Sequence, residues 1–159
     1  MVGNKIKLYF ETFENKDLLL IIGTHKFVRL KAYIEFVRAD GTPFVLDAIV
    51  DTGAYMSAIP FHIWKEIPVE RQGRYEIFGL SPKPECKIHA LVGKVMCKIC
   101  DEKGSTTPII KIHTYLALVD DIPLIIGFKD LLSKFNVCFN YEKGEAYVEV
   151  PEKNKTKKR

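Results

Sequence analysis

The chain has 159 residues and a hydrophobic content of 47%, which suit one globular domain with a sizeable core and leave little room for two. Its formal net charge of +4 comes from residues 151–159, which hold five Lys or Arg and one Glu, while residues 1–150 carry 19 basic and 19 acidic residues. This neutral body argues against a broad basic face, so we expect no nucleic-acid partner.

The two ends of the chain predict a cytoplasmic protein with a disordered tail. Residues 151–159, PEKNKTKKR, have the composition of a solubilising segment, with RNA or a membrane surface as alternative partners. The stretch MVGNKIKLYF lacks the long apolar segment of a signal peptide, and the apolar run Leu18–Ile22 is far shorter than the roughly 20 residues that span a bilayer. We expect no membrane contact and four reduced cysteines: Cys86, Cys97, Cys100 and Cys138.

Strand-like segments dominate the chain, because short β-branched and aromatic stretches alternate with turn signals such as RADGTP, DEKGST and YEKGEA. The predicted strands are Ile6–Phe10, Leu18–Ile22, Lys31–Val37, Phe44–Val50, Tyr75–Phe78, Ile88–Val92, Val95–Ile99, Ile109–Leu118, Val137–Phe139 and Ala146–Val150. Residues 27–150 are expected to form the main domain, and residues 1–26 an N-terminal extension or additional strands. The pattern predicts a mainly all-β fold, as a barrel or a sandwich.

One hairpin and two helices are the clearest local predictions. Lys31–Val37 and Phe44–Val50 flank an Asp-Gly turn and predict an antiparallel pair. The segment Phe61–Ile67 predicts a short turn of helix. The segment Phe128–Phe135, FKDLLSKF, carries an amphipathic stripe and predicts a second helix, with Asp130 in its first turn, where the helix dipole favours a carboxylate.

An acidic residue interrupts an apolar run in IVDTGAYMSAIP, residues 49–60. A charged Asp51 in an apolar setting costs several kcal/mol unless it is hydrogen-bonded, paired or functional. Asp-Thr-Gly is also an ordinary turn sequence, because the side chains bond nearby backbone groups and glycine adopts unusual dihedral angles freely. Strand-like residues lead into the motif, and small or apolar residues lead out of it. A carboxylate at such a junction indicates a functional site.

Two signatures in order resemble the retropepsin-like aspartic protease family. IVDTGA at Ile49–Ala54 resembles the active-site loop of that family. PLIIGFKDLLSKFNV at Pro123–Val137 resembles its apolar-apolar-Gly segment and the helix that follows. Between them, YEIFGLSPKPECKIHALVG occupies the place of the flap hairpin that closes over substrate. The resemblance runs from about Arg29 to Val150.

The resemblance implies a closed β-barrel of the acid-protease type, with one short C-terminal helix and no cofactor or metal. It implies that Asp51 is the catalytic residue, and that the Asp51 loop is shaped by Thr52, Gly53 and Ala54. The flap that binds substrate would comprise Phe78, Gly79, Leu80 and Ser81, and the segment supporting the site would comprise Ile125, Ile126 and Gly127.

The chain contains a single Asp-Thr-Gly, so the two-carboxylate site of this family needs two copies. We therefore expect a homodimer, with Asp51 of each copy near a twofold axis. Ala146–Val150 or the N-terminal strand could interleave with the partner. The implied activity is hydrolysis of peptide bonds in a polypeptide substrate. The alternative is a non-catalytic dimeric module that binds peptides or assembles through the same fold.

A second motif, CKIC at Cys97–Cys100, is typical of metal or redox sites. Cys86, His89 or Cys138 could complete a set of four zinc ligands. The segment is predicted as a strand, however, and residues three apart on a strand face opposite sides. We therefore expect free thiols here.

Overall fold

The structure, a computed structural model, describes residues 2–77 and 87–152, and these residues form mainly β-strands in two sheets. The strands are β1 (Lys5–Lys7), β2 (Tyr9–Glu14), β3 (Lys26–Val37), β4 (Pro43–Val50), β5 (Ser57–Ile59), β6 (Glu70–Ile77), β7 (Ile88–Cys100), β8 (Ile110–Ala117), β9 (Ile125–Ile126), β10 (Asn136–Asn140) and β11 (Glu145–Glu149). The helices are α1 (Lys16–Ile22) and α2 (Phe61–Trp64), with one 3₁₀ turn at Leu132–Lys134. The predicted mainly β class is confirmed.

The larger sheet has eight strands in the order β2-β3-β4-β9-β5-β8-β7-β6, with a further pairing between β3 and β7. The predicted hairpin is confirmed, since β3 and β4 pair antiparallel with Lys31 opposite Ile49. Within β3 the side chains of Ala32, Ile34 and Phe36 are buried, and this alternation sets the register because a one-residue slip would expose all three. Full burial of a side chain the size of Ile34 or Phe36 contributes roughly 1.5–3 kcal/mol.

The two-residue strand β9 joins distant parts of the sequence. It lies between β4 and β5, parallel to the first and antiparallel to the second. Val50 is opposite Ile126, and Ala58 is opposite Ile125. The segment that follows residue 122 is therefore hydrogen-bonded to β4, the strand that leads into Asp51.

The smaller sheet has the order β1-β11-β10. Ile6 of β1 is opposite Val148 of β11, and both side chains are fully buried. Strand β11 has a neighbour along each edge, so the strand expected to interleave with a partner is paired within its own chain.

The predicted strand Leu18–Ile22 is wrong, because this segment belongs to helix α1. Asn15 caps the helix, accepting hydrogen bonds from the backbone N–H groups of Asp17 and Leu18 on its side-chain oxygen. Gly23 ends it with a φ of 73°, a left-handed conformation that favours glycine. No residue of α1 is buried, and no helix in the described part of the chain is long and apolar enough to cross a membrane.

The predicted helix Phe128–Phe135 is also wrong, since only the 3₁₀ turn Leu132–Lys134 forms there. Asp130 has a φ of 63°, which is outside the range of a right-handed helix. Its carboxylate instead accepts hydrogen bonds from the backbone N–H and the ring Nδ1 of His113 in β8, at 2.9 and 2.6 Å. The short helix expected within Phe61–Ile67 is confirmed as α2.

Candidate active site

Asp51 directly follows β4 and begins a tight turn. Its backbone N–H donates to the carbonyl of Ile126 at 3.0 Å, and its own carbonyl accepts from Ala54 at 3.2 Å. The side-chain Oδ1 accepts from the backbone N–H of Gly53 at 2.9 Å, which fixes the orientation of the carboxylate. Within the described residues Oδ2 accepts no hydrogen bond, so a half-buried carboxylate presents one fixed and one free oxygen.

The remaining residues of the Asp51 loop have different surroundings. A Cβ added to Gly53 would lie 3.3 Å from Asp51 Oδ1, so glycine permits the close approach of the carboxylate. Thr52 is exposed, and its side chain makes no hydrogen bond to the described residues of the chain. The carbonyl of Ala54 accepts from the backbone N–H of Phe128 at 2.8 Å, which ties this loop to the segment after β9.

Gly127 holds that segment against the chain that leaves the Asp51 loop. Its N–H donates to Oγ of the buried Ser57 at 2.9 Å. A Cβ at this position would lie 2.4 Å from the carbonyl carbon of Met56, a separation that real Cβ atoms do not adopt. The carbonyl of Ser57 in turn accepts from Thr114 Oγ1 of β8 at 3.1 Å. The structure therefore brings Ile125, Ile126 and Gly127 beside Asp51.

A cavity of about 370 Å³ opens beside the carboxylate. Its lining residues are Asp51, Gly53, Ala54, Tyr55, Met56, Ala58, Tyr75, Ile77, Tyr115 and Ile125. Among these described residues Asp51 is the only carboxylate. The rings of Tyr75 and Tyr115 stack with centroids 5.6 Å apart. Burial, with smaller contributions from Tyr75 and Tyr55, raises the pKa of Tyr115, so its hydroxyl stays neutral at physiological pH.

The residues expected to form the flap tip, Phe78, Gly79, Leu80 and Ser81, lie outside the described part of the chain. The strands that lead to and from them are described. β6 and β7 pair antiparallel, and Ile77 is opposite Ile88 at the last described pair. Tyr75 and Ile77 of β6 line the cavity, so the base of this hairpin forms one wall of the candidate site.

The cysteines of CKIC both lie in β7 and are both buried. Burial raises the pKa of the Cys97 thiol to about 12, so the uncoordinated thiol is protonated at neutral pH. Across residues 2–77 and 87–152, no group of three His, Cys, Asp or Glu side chains is placed to hold a metal ion. Cys86, one of the possible further ligands, is outside these ranges.

Several residues that shape the site were not predicted. Ser57 has a sequence signal, since a polar residue within the apolar run MSAIP needs a buried hydrogen-bond partner. No local sequence signal indicates Tyr75 and Tyr115, because they come from strands β6 and β8, which are not adjacent in the sheet. The contact of Asp130 with His113 also depends on the fold.

No protein-family model matches the chain, and no curated protein matches it either. The described residues form a mainly β fold in which one oriented carboxylate, that of Asp51, lines a largely apolar cavity. The function is therefore inferred from the chemistry of this carboxylate and its neighbours.

Proposed function

We propose that the chain is a retropepsin-like aspartic endopeptidase that acts as a homodimer. The observation that carries the proposal is the Asp51 carboxylate, which is held by the N–H of Gly53 on one oxygen and open to the cavity on the other. The hydrogen bonds from Asp51 to Ile126 and from Gly127 to Ser57 also support it, because they join the two signatures into one site. The extra β3–β7 pairing supports a closed barrel.

We infer a homodimer because one carboxylate cannot act as both the base and the acid in the first step of peptide hydrolysis. Peptide hydrolysis without a covalent intermediate requires a base for the attacking water and an acid for the carbonyl oxygen. Asp51 is the sole carboxylate among the described cavity residues, and the sequence has a single Asp-Thr-Gly. A second copy related by a twofold axis supplies the missing group. Thr52 is exposed beside Asp51 and is available to hydrogen-bond to the partner's loop.

Two adjacent Asp51 carboxylates would share one proton, because two like charges a few ångströms apart cannot both persist. The ionised carboxylate takes a proton from a bound water as the water oxygen attacks the scissile carbonyl carbon. The protonated carboxylate gives its proton to the carbonyl oxygen, which forms a tetrahedral diol. The carboxyl that was protonated by the water then gives its proton to the leaving nitrogen as the C–N bond breaks. The other carboxylate takes a proton from one diol hydroxyl, so the products are an acid and an amine and the pair again holds one proton.

The substrate in this proposal is an extended polypeptide. β6 and β7 form the base of a hairpin beside the cavity, and β6 is the edge strand of the larger sheet. An extended peptide can bind an edge strand through backbone hydrogen bonds and side-chain pockets. The apolar and aromatic lining favours an apolar side chain next to the scissile bond. Tyr115 contributes a neutral hydroxyl that can donate or accept a hydrogen bond.

The test is cleavage of a peptide library by wild type and Asp51→Asn, followed by mass spectrometry from acidic to neutral pH. Asp121→Asn, an exposed carboxylate in the loop before β9, is the matched control. We expect the same products from wild type and the control, and none from Asp51→Asn. Equal products from all three proteins would overturn the role of Asp51. Peptide binding without products from wild type would favour the non-catalytic module.

A further inference from the structure

Residues 9–30 form an arm that exposes most of its apolar side chains. The arm consists of β2, helix α1 and the first part of β3. Leu20 and Ile21 of α1 are 87% and 75% exposed. The other exposed apolar residues of the arm are Leu19, Ile22, Phe27 and Val28. Together these side chains expose on the order of 500 Å² of apolar surface, a size that marks an interaction site on a folded protein.

Only the base of the arm is supported within one chain, where Phe10 and Leu30 pack against the core. Its strands form a ribbon in which Lys26–Arg29 of β3 are all exposed, so neither face of this part of β3 is covered. An isolated two-stranded ribbon is marginally stable in water, and a seven-residue helix without buried residues adds no core. The outer part of the arm would therefore gain stability from a partner surface.

The register places the arm beyond the Asp51 end of the sheet. Lys31 of β3 is opposite Ile49 of β4, and Tyr9 of β2 is opposite Lys31. Continuing this register puts Arg29 level with Asp51, and Lys26 lies about 10 Å farther along the same direction at 3.3 Å per residue. Helix α1 lies beyond Lys26. Ala48 and Val50 of β4 belong to the core, and Asp51 follows at the end of that strand. A second Asp51 would therefore approach from the side toward which the arm extends.

A receiving surface lies next to the Asp51 loop. Tyr55 and Phe128 are 67% and 50% exposed. Both are held close to the loop, since the carbonyl of Tyr55 accepts from Lys129 and the N–H of Phe128 donates to Ala54. Tyr55 also lines the cavity beside Asp51, so this surface adjoins the candidate site, and an arm from a second copy would contact the exposed parts of both rings. In contrast, β11 is already paired along both edges and offers no free edge to a partner.

We propose that the arm is the dimerisation element of this protein, and that its apolar residues pack against the partner's Tyr55 and Phe128 in a second copy of the chain. Twofold symmetry makes the contact reciprocal, so two arms bury two receiving surfaces and hold the Asp51 loops together. This inference rests on the proposed function, because a two-carboxylate site makes the second copy necessary. It assigns to residues 9–30 a control over assembly and thereby over activity.

The test compares wild type with the double variant Leu20→Glu, Ile21→Glu in sedimentation velocity over a range of concentrations. The control is Val45→Glu, Ile109→Glu, which places two charges at exposed apolar positions outside the arm. We expect the dimer dissociation constant to rise at least about 100-fold for the arm variant, since two buried charges disfavour the interface, and to stay unchanged for the control. If circular dichroism shows that the charged variant is not folded, Leu20→Ser, Ile21→Ser replaces it. We expect this variant to raise the dimer dissociation constant by a smaller factor.

Dimerisation of the folded arm variants with wild-type affinity would overturn the inference, whether or not wild type cleaves peptides. Binding of wild type to vesicles of phosphatidylcholine and phosphatidylserine is measured as well. If the arm variants lose this binding but still form dimers, the inference is overturned, because the arm would then be a membrane-surface element. Arm-dependent dimerisation without peptide cleavage would support the arm and count against the proposed enzyme. Full cleavage by a monomeric wild type would contradict the two-carboxylate site and remove the basis of the inference.

Discussion

The backbone N–H of Gly127 donates a 2.9 Å hydrogen bond to the side-chain oxygen of Ser57, 70 residues earlier in the chain. This bond connects the segment after β9 with the strand that leaves the Asp51 loop. Ser57 is buried, and its own carbonyl accepts a hydrogen bond from Thr114. The position of the Asp51 loop therefore depends on a small polar network within an otherwise apolar region.

Replacing Ser57 with Ala should destabilise the protein by about 1–3 kcal/mol, because the Gly127 N–H loses its acceptor while remaining buried. Urea unfolding at neutral pH measures this change. The exposed Ser133→Ala is the control and should shift the free energy of unfolding by less than about 0.5 kcal/mol. Equal effects of the two substitutions would show that the Gly127 contact contributes nothing specific.

Gly127→Ala should be the more damaging substitution. The added Cβ would meet the backbone of Met56 and Ser57, which cannot move aside as a flexible side chain could. We expect a loss of several kcal/mol, or failure to fold. Gly73→Ala in β6 is the matched control, because a Cβ there meets nothing within 4 Å and the residue has no positive φ. Wild-type thermal stability of Gly127→Ala would contradict the packing described.

The pairing of Asp130 with His113 predicts a stability that depends on pH. Burial alone would raise the pKa of Asp130, but the hydrogen bonds from the His113 N–H and ring, with the charge of Lys129, bring it below its ordinary value. A depressed carboxyl pKa stabilises the fold above the unfolded-state value of about 4, and this contribution is lost as the pH falls through the folded-state pKa.

Asp130→Asn should therefore lower stability by about 1–2 kcal/mol at neutral pH and remove part of the decline in stability between about pH 5 and pH 2. Asparagine also tolerates the positive φ at this position, so the substitution tests the charge rather than the backbone. Denaturant unfolding at a series of pH values measures the effect. The control Asp121→Asn should leave the pH profile unchanged; a wild-type profile for Asp130→Asn would refute the pairing.

Tyr75 should contribute to substrate binding rather than to stability. It is 51% exposed and stacks on Tyr115 at the cavity, so Tyr75→Ala should raise KM about tenfold while leaving kcat within about twofold. Phe139→Ala removes an aromatic ring with 61% exposure that does not line the cavity, and it should leave both constants unchanged. A fall in kcat at constant KM would instead assign Tyr75 to the chemical step.

Local sequence patterns predict the β3–β4 hairpin because alternation and an Asp-Gly turn are both encoded within 20 neighbouring residues. The same patterns misassign Leu18–Ile22, since an apolar run suits a strand or a helix and only the caps at Asn15 and Gly23 decide between them. Phe128–Phe135 has a helical stripe, but the contact of Asp130 with His113 in another strand overrides it. Tertiary contacts outweigh the local preference in Phe128–Phe135, whereas the local caps decide the structure of Leu18–Ile22.

Some residues of the candidate site can be predicted from the sequence, and others depend on the fold. The proximity of Asp51 and the Ile125–Gly127 segment can be predicted, because each occurs in a short motif and the two motifs follow in the order of one resemblance. Ser57 is signalled only by its polarity in an apolar run. The stacked Tyr75 and Tyr115 follow from the order of strands in the sheet, which no local pattern encodes.

A subunit-mixing experiment tests whether catalysis needs Asp51 from two copies of the chain. Peptide cleavage by a fixed concentration of wild type is measured, with substrate in excess, while Asp51→Asn protein is added to about tenfold excess at a concentration that favours dimers. Asp51→Asn that also carries Leu20→Glu and Ile21→Glu is the control, and it should inhibit less, because a mixed dimer then keeps only one of its two arm contacts. The two-copy site predicts that the rate falls about tenfold, because most wild-type chains enter mixed dimers with one Asp51. A rate that stays constant as Asp51→Asn is added, although mixed dimers form, would contradict the claim.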